Sequence, residues 1–228
     1  HFIKKSLEGL EIDIKNKFNA SLNIYYGDTL DILRNLINKY GISHVYSHNV
    51  FKESYIRKLN NDCQSLFDYK NIKWKKFNQF GIQLQNRDRT SWSSDWKKVM
   101  SKKIINNHYN SCKFIDDFKF NMSKIKTNKV YSDTIQKGGS KIAKDNMFSF
   151  LNNRSKFYRN QMSSPITAEN SCSRLSPHIT FGTISLKQIY QETINQIAIS
   201  DGYHKKSLVS YKSRLAWHCH FIQKFYDE

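Results

Sequence analysis

An α/β domain followed by an all-helical domain is the fold class that this 228-residue sequence predicts, on three observations. The first hundred residues alternate helix-spaced and strand-like apolar runs, the mark of a parallel sheet covered by helices. From Gly138 onward the patterning is helical. Between these halves the chain is rich in Lys and Asn without sustained periodicity, which suits a surface connection. The expected boundaries are therefore residues 1–100, 101–137 and 138–228.

Each element has its own local cause. Phe2, Leu7, Leu10, Ile14 and Phe18 recur at helical spacing and predict a first helix. Leu22 to Tyr26 reads as a strand, after which Gly27 turns the chain into a helix capped by Asp28. That helix carries Leu33, Leu36, Ile37 and Tyr40 and stops at Gly41, where a left-handed residue is favoured. Ile42 to Tyr46 reads as the next strand, and strand, helix and strand in such close succession make a βαβ unit. A further helix from about Glu53 to Phe67 and a strand around Ile72 to Phe77 complete this half. Gly138-Gly139-Ser140 opens a long helix to about Met162, with Ile142, Met147, Phe150, Leu151 and Phe157 as buried positions. No repeat of solenoid length is present.

Composition bounds the function. A hydrophobic content of 39% is adequate for a core. No apolar run approaches the roughly 20 residues of a membrane span, and no signal peptide is patterned, so a soluble, intracellular (cytoplasmic) monomer is expected. Cys63, Cys112, Cys172 and Cys219 are widely spaced and form no metal motif, which fits reduced thiols. The first residue is His1 and the last follow a strongly patterned helix, so the sequence reads as an internal fragment. A net charge of +18 favours nucleic-acid contact through counterion release. Against that stand 29 lysines to 8 arginines, the bias that AT-rich coding produces unselected. Residues 1–50 hold 6 basic and 5 acidic groups, so nearly all the excess charge lies beyond them.

Two stretches carry candidate chemistry. In SCSRLSPHITFGTISLKQ, Ser171 to Gln188, Ser176 with Pro177 reads as one helix start, and Ser185 with Gln188 as a capping box ahead of Leu186, Ile189, Tyr190 and Ile194. Two helix N-termini beside Arg174 make a natural site for a phosphate. In the last helix, Leu208 to about Tyr226, the spacing of Tyr211, Arg214, His218 and Phe221 forms one stripe bordered by Trp217, with Leu208, Leu215 and Ile222 toward the core. A solvated helix edge competes with a ligand face as the reading of that stripe. Consecutive His218, Cys219 and His220 point about 100° apart and cannot converge on a metal. Cys172 beside Arg174 has no neighbouring His to act as base and suits small-residue packing.

The order of residues is more particular than either pattern. Tyr158 ahead of Met162, Ser163 and Pro165, then Ser173-Arg174-Leu175-Ser176-Pro177, Phe181-Gly182 and Ile184-Ser185, resembles the flavin-binding domain of the photolyase/cryptochrome family. Ser213-Arg214-Leu215-Ala216-Trp217-His218-Cys219-His220-Phe221-Ile222-Gln223-Lys224 resembles that family's substrate-facing helix. Looser likenesses lie in the first half: Phe2 with Ser6-Leu7, Gly27-Asp28, Tyr55 with Arg57, and Gln79 to Ile82 through Asn86-Arg87-Asp88 to Trp92 and Trp96.

The resemblance implies a Rossmann-like α/β antenna domain, truncated at its start, followed by the first part of an all-α FAD-binding domain. It implies FAD held by Tyr158, Cys172, Ser173, Arg174, Leu175 and Ser176, with Tyr211 packed on the flavin. An antenna chromophore of unspecified identity belongs to the same expectation. Arg214, Trp217 and His218 would be the catalytic, DNA-facing residues, with Trp217 stacking on a flipped-out base. The implied activity is that of a deoxyribodipyrimidine photolyase-like lyase, a blue-light enzyme acting on DNA containing pyrimidine dimers. Familiar repair enzymes carry Glu where Arg214 stands and Arg where His218 stands, and Arg cannot accept the lesion's hydrogen bonds. A cryptochrome-type photoreceptor without repair is therefore the alternative, and a flavin-free basic nucleic-acid-binding module the second. The lack of any other nucleophile, carboxylate pair or P-loop suits chemistry carried by a cofactor.

Overall fold

The computed structural model describes residues 1–50, 54–83, 90–105, 112–122 and 135–227. In chain order these form α1 (Phe2–Phe18), α2 (Thr29–Tyr40), β1 (His44–His48), α3 (Ser54–Tyr69), β2 (Lys73–Phe77), α4 (Trp92–Ser101) and α5 (Ser140–Asn152). The short helices α6 (Tyr158–Gln161), α7 (Ala168–Ser171) and α8 (Ser176–Thr180) follow, then α9 (Leu186–Ile199) and α10 (Gly202–Asp227). Contacts divide the chain into two compact units. One comprises His1–Ile24 and Lys97–Trp217, the other Tyr25–Trp96 and His218–Glu228.

The smaller unit is the α/β one. β1 and β2 pair in parallel, His44 opposite Lys73 through His48 opposite Phe77, and α3 is the crossover between them. The βαβ unit is thus β1–α3–β2 rather than one starting at Leu22. Among the described residues Ile24 makes an isolated parallel bridge to Lys119 within the other unit, where Ile24 N–H donates to Phe118 O and its carbonyl accepts from Phe120 N–H. Asp28 caps α2 as expected, accepting from the N–H groups of Leu30 and Asp31, and Gly41 ends it at φ 59°. Ile37, Cys63, Phe67 and Ile72 form the core, with Leu30, Leu33, Val45, Leu59 and Trp74 packed around them. In the same unit Trp92 stacks on Trp96 with ring centroids 6.1 Å apart, and Gln223 holds the backbone of Gln83 in both directions, at 2.8 and 3.0 Å. α4 lies outside the expected elements, although Trp92, Trp96, Val99 and Met100 recur at helical spacing, with Trp92, Trp96 and Met100 buried. Asn86, Arg87 and Asp88, which carry part of the family resemblance, lie outside the described residues, as does the expected helix start at Glu53.

The larger unit is almost wholly helical. α5 begins where Gly139 adopts φ 117°, and α1 passes so close to Gly138 that a Cβ there would meet Ser6 Oγ and Phe2 O. The expected long helix to Met162 breaks at Asn153 into a 3-10 turn, Arg154–Phe157, and then α6. Ala143, Met147, Phe150 and Leu151 are buried, whereas Ile142 and Phe157 are exposed. The break rotates Phe157 out of the α5 face. Asn23 ties part of the residue 101–137 stretch to the unit, accepting from Asp117 and Phe118 N–H and donating to Ile115 O.

Candidate functional site

The Ser171 to Gln188 stretch folds as two helix starts, but their caps differ from expectation. Ser176 is the first residue of α8, with Leu175 at the cap position, and no side chain caps that five-residue helix. Ser185 does occupy the cap of α9, yet neither it nor Gln188 forms the capping box. Leu186, Ile189, Tyr190 and Thr193 face the core, and Ile194 lies at the exposed edge. A helix as short as α8 contributes little dipole, so the anion-binding capacity here comes from the turn before it.

That turn is built by Arg154. Its guanidinium donates to Cys172 O, to Asn146 O at 2.9 Å, to Ser149 Oγ at 3.1 Å and to Ser173 O at 3.4 Å. With the carbonyls of Cys172 and Ser173 pulled toward Arg154, the chain turns over at Arg174, which sits at φ 60°. An L-residue in the left-handed region costs about 1–2 kcal/mol, and Gln136 helps hold it by donating to Arg174 O at 3.0 Å. The N–H groups of Ser173 and Arg174 have no hydrogen-bond partner among the described residues, whereas Leu175 N–H donates to Ser173 Oγ. Arg154, Arg174, Lys137, Gln136 and Asn146 line a cleft of about 370 Å³, with Glu169 paired to Arg174 at 3.6 Å on its rim. Burial and the like charge of Arg174 hold the Arg154 pKa below the ordinary arginine value. Two crowded cations and two undonated N–H groups favour an anion.

Behind the turn lies an aromatic cluster. Phe150, Tyr158 and Tyr211 meet edge to face, with centroids 4.5–5.6 Å apart. Burial pushes the Tyr158 phenol up to about 12 and raises that of Tyr211 further, so both stay protonated. Tyr211 Oη feels the Ser173 side chain but makes no regular hydrogen bond, an orphaned buried polar atom. Burial also raises the Cys172 thiol, with Arg154 and Arg174 opposing. Tyr158, Tyr211, Cys172 and Ser173 therefore share one neighbourhood with Leu175, which is fully buried.

Spacing misplaced one of these residues. Tyr211 belongs to the core stripe of α10 with Leu208, Leu215 and Cys219, not to an exposed stripe with Arg214 and Phe221. Successive steps of three and four residues drift around a helix, and Tyr211 falls 60° from the core line, well inside it. Arg214 and Trp217 are exposed neighbours, the guanidinium carbon 4.4 Å from the Trp217 ring centroid. His218 belongs to the α/β unit, half-buried, edge to face on Phe80 at 5.5 Å, with burial lowering its pKa. Arg154 and Gln136 escaped sequence reasoning. The available signal was arginine itself: in a chain where lysine outnumbers it so heavily, a retained arginine marks a demand for planar, forked donors.

No family model matches the chain, and no curated protein matches it by sequence. Solved structures do match. A cryptochrome from Synechocystis superposes with a TM-score of 0.75 at 15% identity, over 97% of this chain and 49% of that one. Photolyase from the archaeon Sulfolobus tokodaii, whose crystal structure holds two FAD molecules, superposes with a TM-score of 0.69 at 19% identity, over 100% of this chain and 48% of its own. The chain has the photolyase/cryptochrome fold and spans about half the length of these two proteins. Among the described residues no helix is long and apolar enough to cross a membrane, and no cluster of His, Cys, Asp and Glu is arranged to hold a metal.

Proposed function

We propose that the chain belongs to the photolyase/cryptochrome family and forms part of a blue-light-dependent FAD flavoprotein that repairs pyrimidine dimers in DNA. The observation that carries the reading is the Arg154-held turn at Cys172–Ser176, set beside Tyr158 and Tyr211 in a chain with this fold. The residues present fit the cofactor: the Ser173 and Arg174 N–H groups suit a diphosphate, and the orphaned Tyr211 hydroxyl awaits a polar partner. When bound, reduced FAD supplies the light-driven electron that opens a cyclobutane dimer and then recovers it.

The chain's own residues bind and orient. Arg154 and Arg174 balance the diphosphate charge, and Tyr158 and Tyr211 present apolar, un-ionised rings beside it. Trp217 is half exposed and carries the Arg214 guanidinium over its ring, an aromatic and cation pair of the kind that meets a base and its phosphate. The +18 charge supports DNA as partner. A soluble, intracellular monomer and an antenna chromophore belong to the same proposal.

Arg214 favours one further reading. It is exposed and donates only, so a lesion would find no acceptor there, as expected of a cryptochrome-type photoreceptor that keeps the flavin without repair. The test is direct. The purified protein of which this chain forms part should show a flavin absorption spectrum and, reduced and illuminated in blue light, restore dimer-containing oligonucleotides. Flavin without restoration selects the photoreceptor; a colourless protein that binds nucleic acid selects the flavin-free module.

A further inference from the structure

Arg154 can fork to Cys172 and Ser173 only while the backbone that carries it is fixed from behind, and that backbone is the 3-10 turn after α5. One face of α10 holds its rear. His204 Nε2 lies 2.8 Å from Ser155 Oγ and 3.1 Å from Leu151 O. The buried Ser155 hydroxyl donates to the same Leu151 carbonyl at 3.1 Å. Three residues beyond His204, the buried Ser207 donates to Lys156 O at 3.2 Å and takes Arg159 N–H at 3.5 Å. His204, Ser207, Leu208 and Tyr211 follow helical spacing and form one stripe of α10. Its polar end meets the turn, and its aromatic end meets Phe150 and Tyr158. All of these residues lie in the larger unit.

The chemistry of these contacts fixes the state of the ring. A carbonyl can only accept, so the nitrogen facing Leu151 O, Nε2, carries a proton. In the neutral ring Nδ1 then accepts from the Ser200 hydroxyl at 3.4 Å, and Gln196 backs Ser200 at 3.4 Å. A serine hydroxyl bonded back to the carbonyl four residues earlier bends a helix, and Ser155 does so where α5 stops. His204 brings a second donor to that carbonyl and a partner to that hydroxyl. We propose that His204 is a positioning residue for the cofactor's diphosphate, resting on the assignment of a diphosphate to the Cys172–Ser176 turn. By donating to Leu151 O and Ser155 Oγ it sets the direction in which Arg154 leaves α5, aims the guanidinium at Cys172 O and Ser173 O, and so orders the N–H groups of Ser173 and Arg174. Ser207 completes the hold by fixing Lys156 O. His204 touches neither the anion nor the cleft that takes it; its effect passes through Arg154.

The test titrates pyrophosphate into the flavin-free protein of which this chain forms part, by isothermal titration calorimetry. His204→Leu keeps bulk and removes both ring nitrogens, and the lost buried donor should weaken pyrophosphate binding roughly tenfold. The Cys172 and Leu175 amides, which donate to Ala168 O at 2.8 Å and to Ser173 Oγ at 3.4 Å, should exchange roughly tenfold faster, while α9 keeps its rates. His204→Gln carries an amide donor to nearly the place of Nε2 and should return affinity to within about threefold of wild type, a rescue that packing alone would not give. Asp28→Ala, which weakens α2 in the other unit, should leave pyrophosphate affinity unchanged. If His204→Leu fails to fold, Ser207→Ala decides, with an expected loss of about threefold. Wild-type affinity in His204→Leu, equal losses in the leucine and glutamine variants, or unchanged exchange at Cys172 and Leu175 would overturn the proposal. A wild type that ignores pyrophosphate, while His204→Leu still quickens those two amides, would overturn the diphosphate assignment and not the part of His204 in holding the turn.

Discussion

Replacing Arg154 tests whether one arginine builds the turn before α8. Its strongest bonds run to the carbonyls of Cys172 and Asn146, with a third to Ser149 Oγ and a longer one to Ser173 O. A hydrogen bond to a charged donor is worth roughly 1.5–3 kcal/mol net, and the half-buried setting puts each near the lower end. Two good carbonyl bonds then amount to about 3 kcal/mol in Arg154→Met, whose apolar stem preserves the contact with Phe150. For a chain of this size about 3 kcal/mol lowers the melting temperature by roughly 6–12 °C. Arg154→Lys keeps the charge but presents a compact ammonium that cannot fork to several carbonyls, so it should recover less than half of the loss. Differential scanning calorimetry gives the stability, and amide hydrogen exchange at residues 172 to 176 shows whether the turn itself has loosened. A drop below about 2 °C for Arg154→Met, or full rescue by lysine, would refute the claim that the fork and not the charge holds the turn.

Other outcomes follow from single contacts. Gly138→Ala should separate α1 from α5, because its Cβ would strike Ser6 and the Phe2 carbonyl, at a cost of about 2–3 kcal/mol seen as faster exchange in α1. Gly41→Ala, with φ 59° and open space around it, should cost only the left-handed penalty of roughly 1–2 kcal/mol in urea unfolding. Asp28→Ala removes the cap of α2 and should cost about 1 kcal/mol by the same measurement. His178 is buried with Nε2 unpartnered and Nδ1 on Thr183 Oγ1 at 2.8 Å, and burial lowers its pKa below 6.5. The folded state then binds fewer protons than the unfolded one, so stability should be full above pH 6.5 and fall as pH drops through and below it. His178→Asn should flatten that dependence in thermal melts between neutral and mildly acidic pH.

How much of this was legible in the sequence varied with the range of the interaction involved. α1, α2 and its two caps, β1, α3 and β2 follow from local periodicity and from Asp28 and Gly41, and the structure places them close to the predicted limits. Pairing was less legible than strand formation. Leu22 to Tyr26 has strand-like residues, but hydrogen bonds from Ile24 go to Phe118 and Phe120, about a hundred residues away, and no local pattern encodes that partner. The break at Asn153 was hidden for a related reason. Helical spacing continues through it, and the Arg154 side chain, reaching back to Asn146 and forward to Cys172, ties the segment after the break to both.

The anion site shows the same division between local and distant causes. Helix starts at Ser176 and Ser185 were visible because proline and serine act on their own backbone. Yet α8 is too short to concentrate a dipole, and what orders the N–H groups of Ser173 and Arg174 is a guanidinium from a different turn of the chain. Serines alone therefore do not make the site, and a chain with SRLSP but no arginine at the position of Arg154 should hold its diphosphate poorly. Phosphate protection of Arg154→Met against thermal unfolding measures this: wild type should gain stability with added pyrophosphate, and the variant should gain almost none. Equal gains in both would place the anion elsewhere and detach the turn from any cofactor.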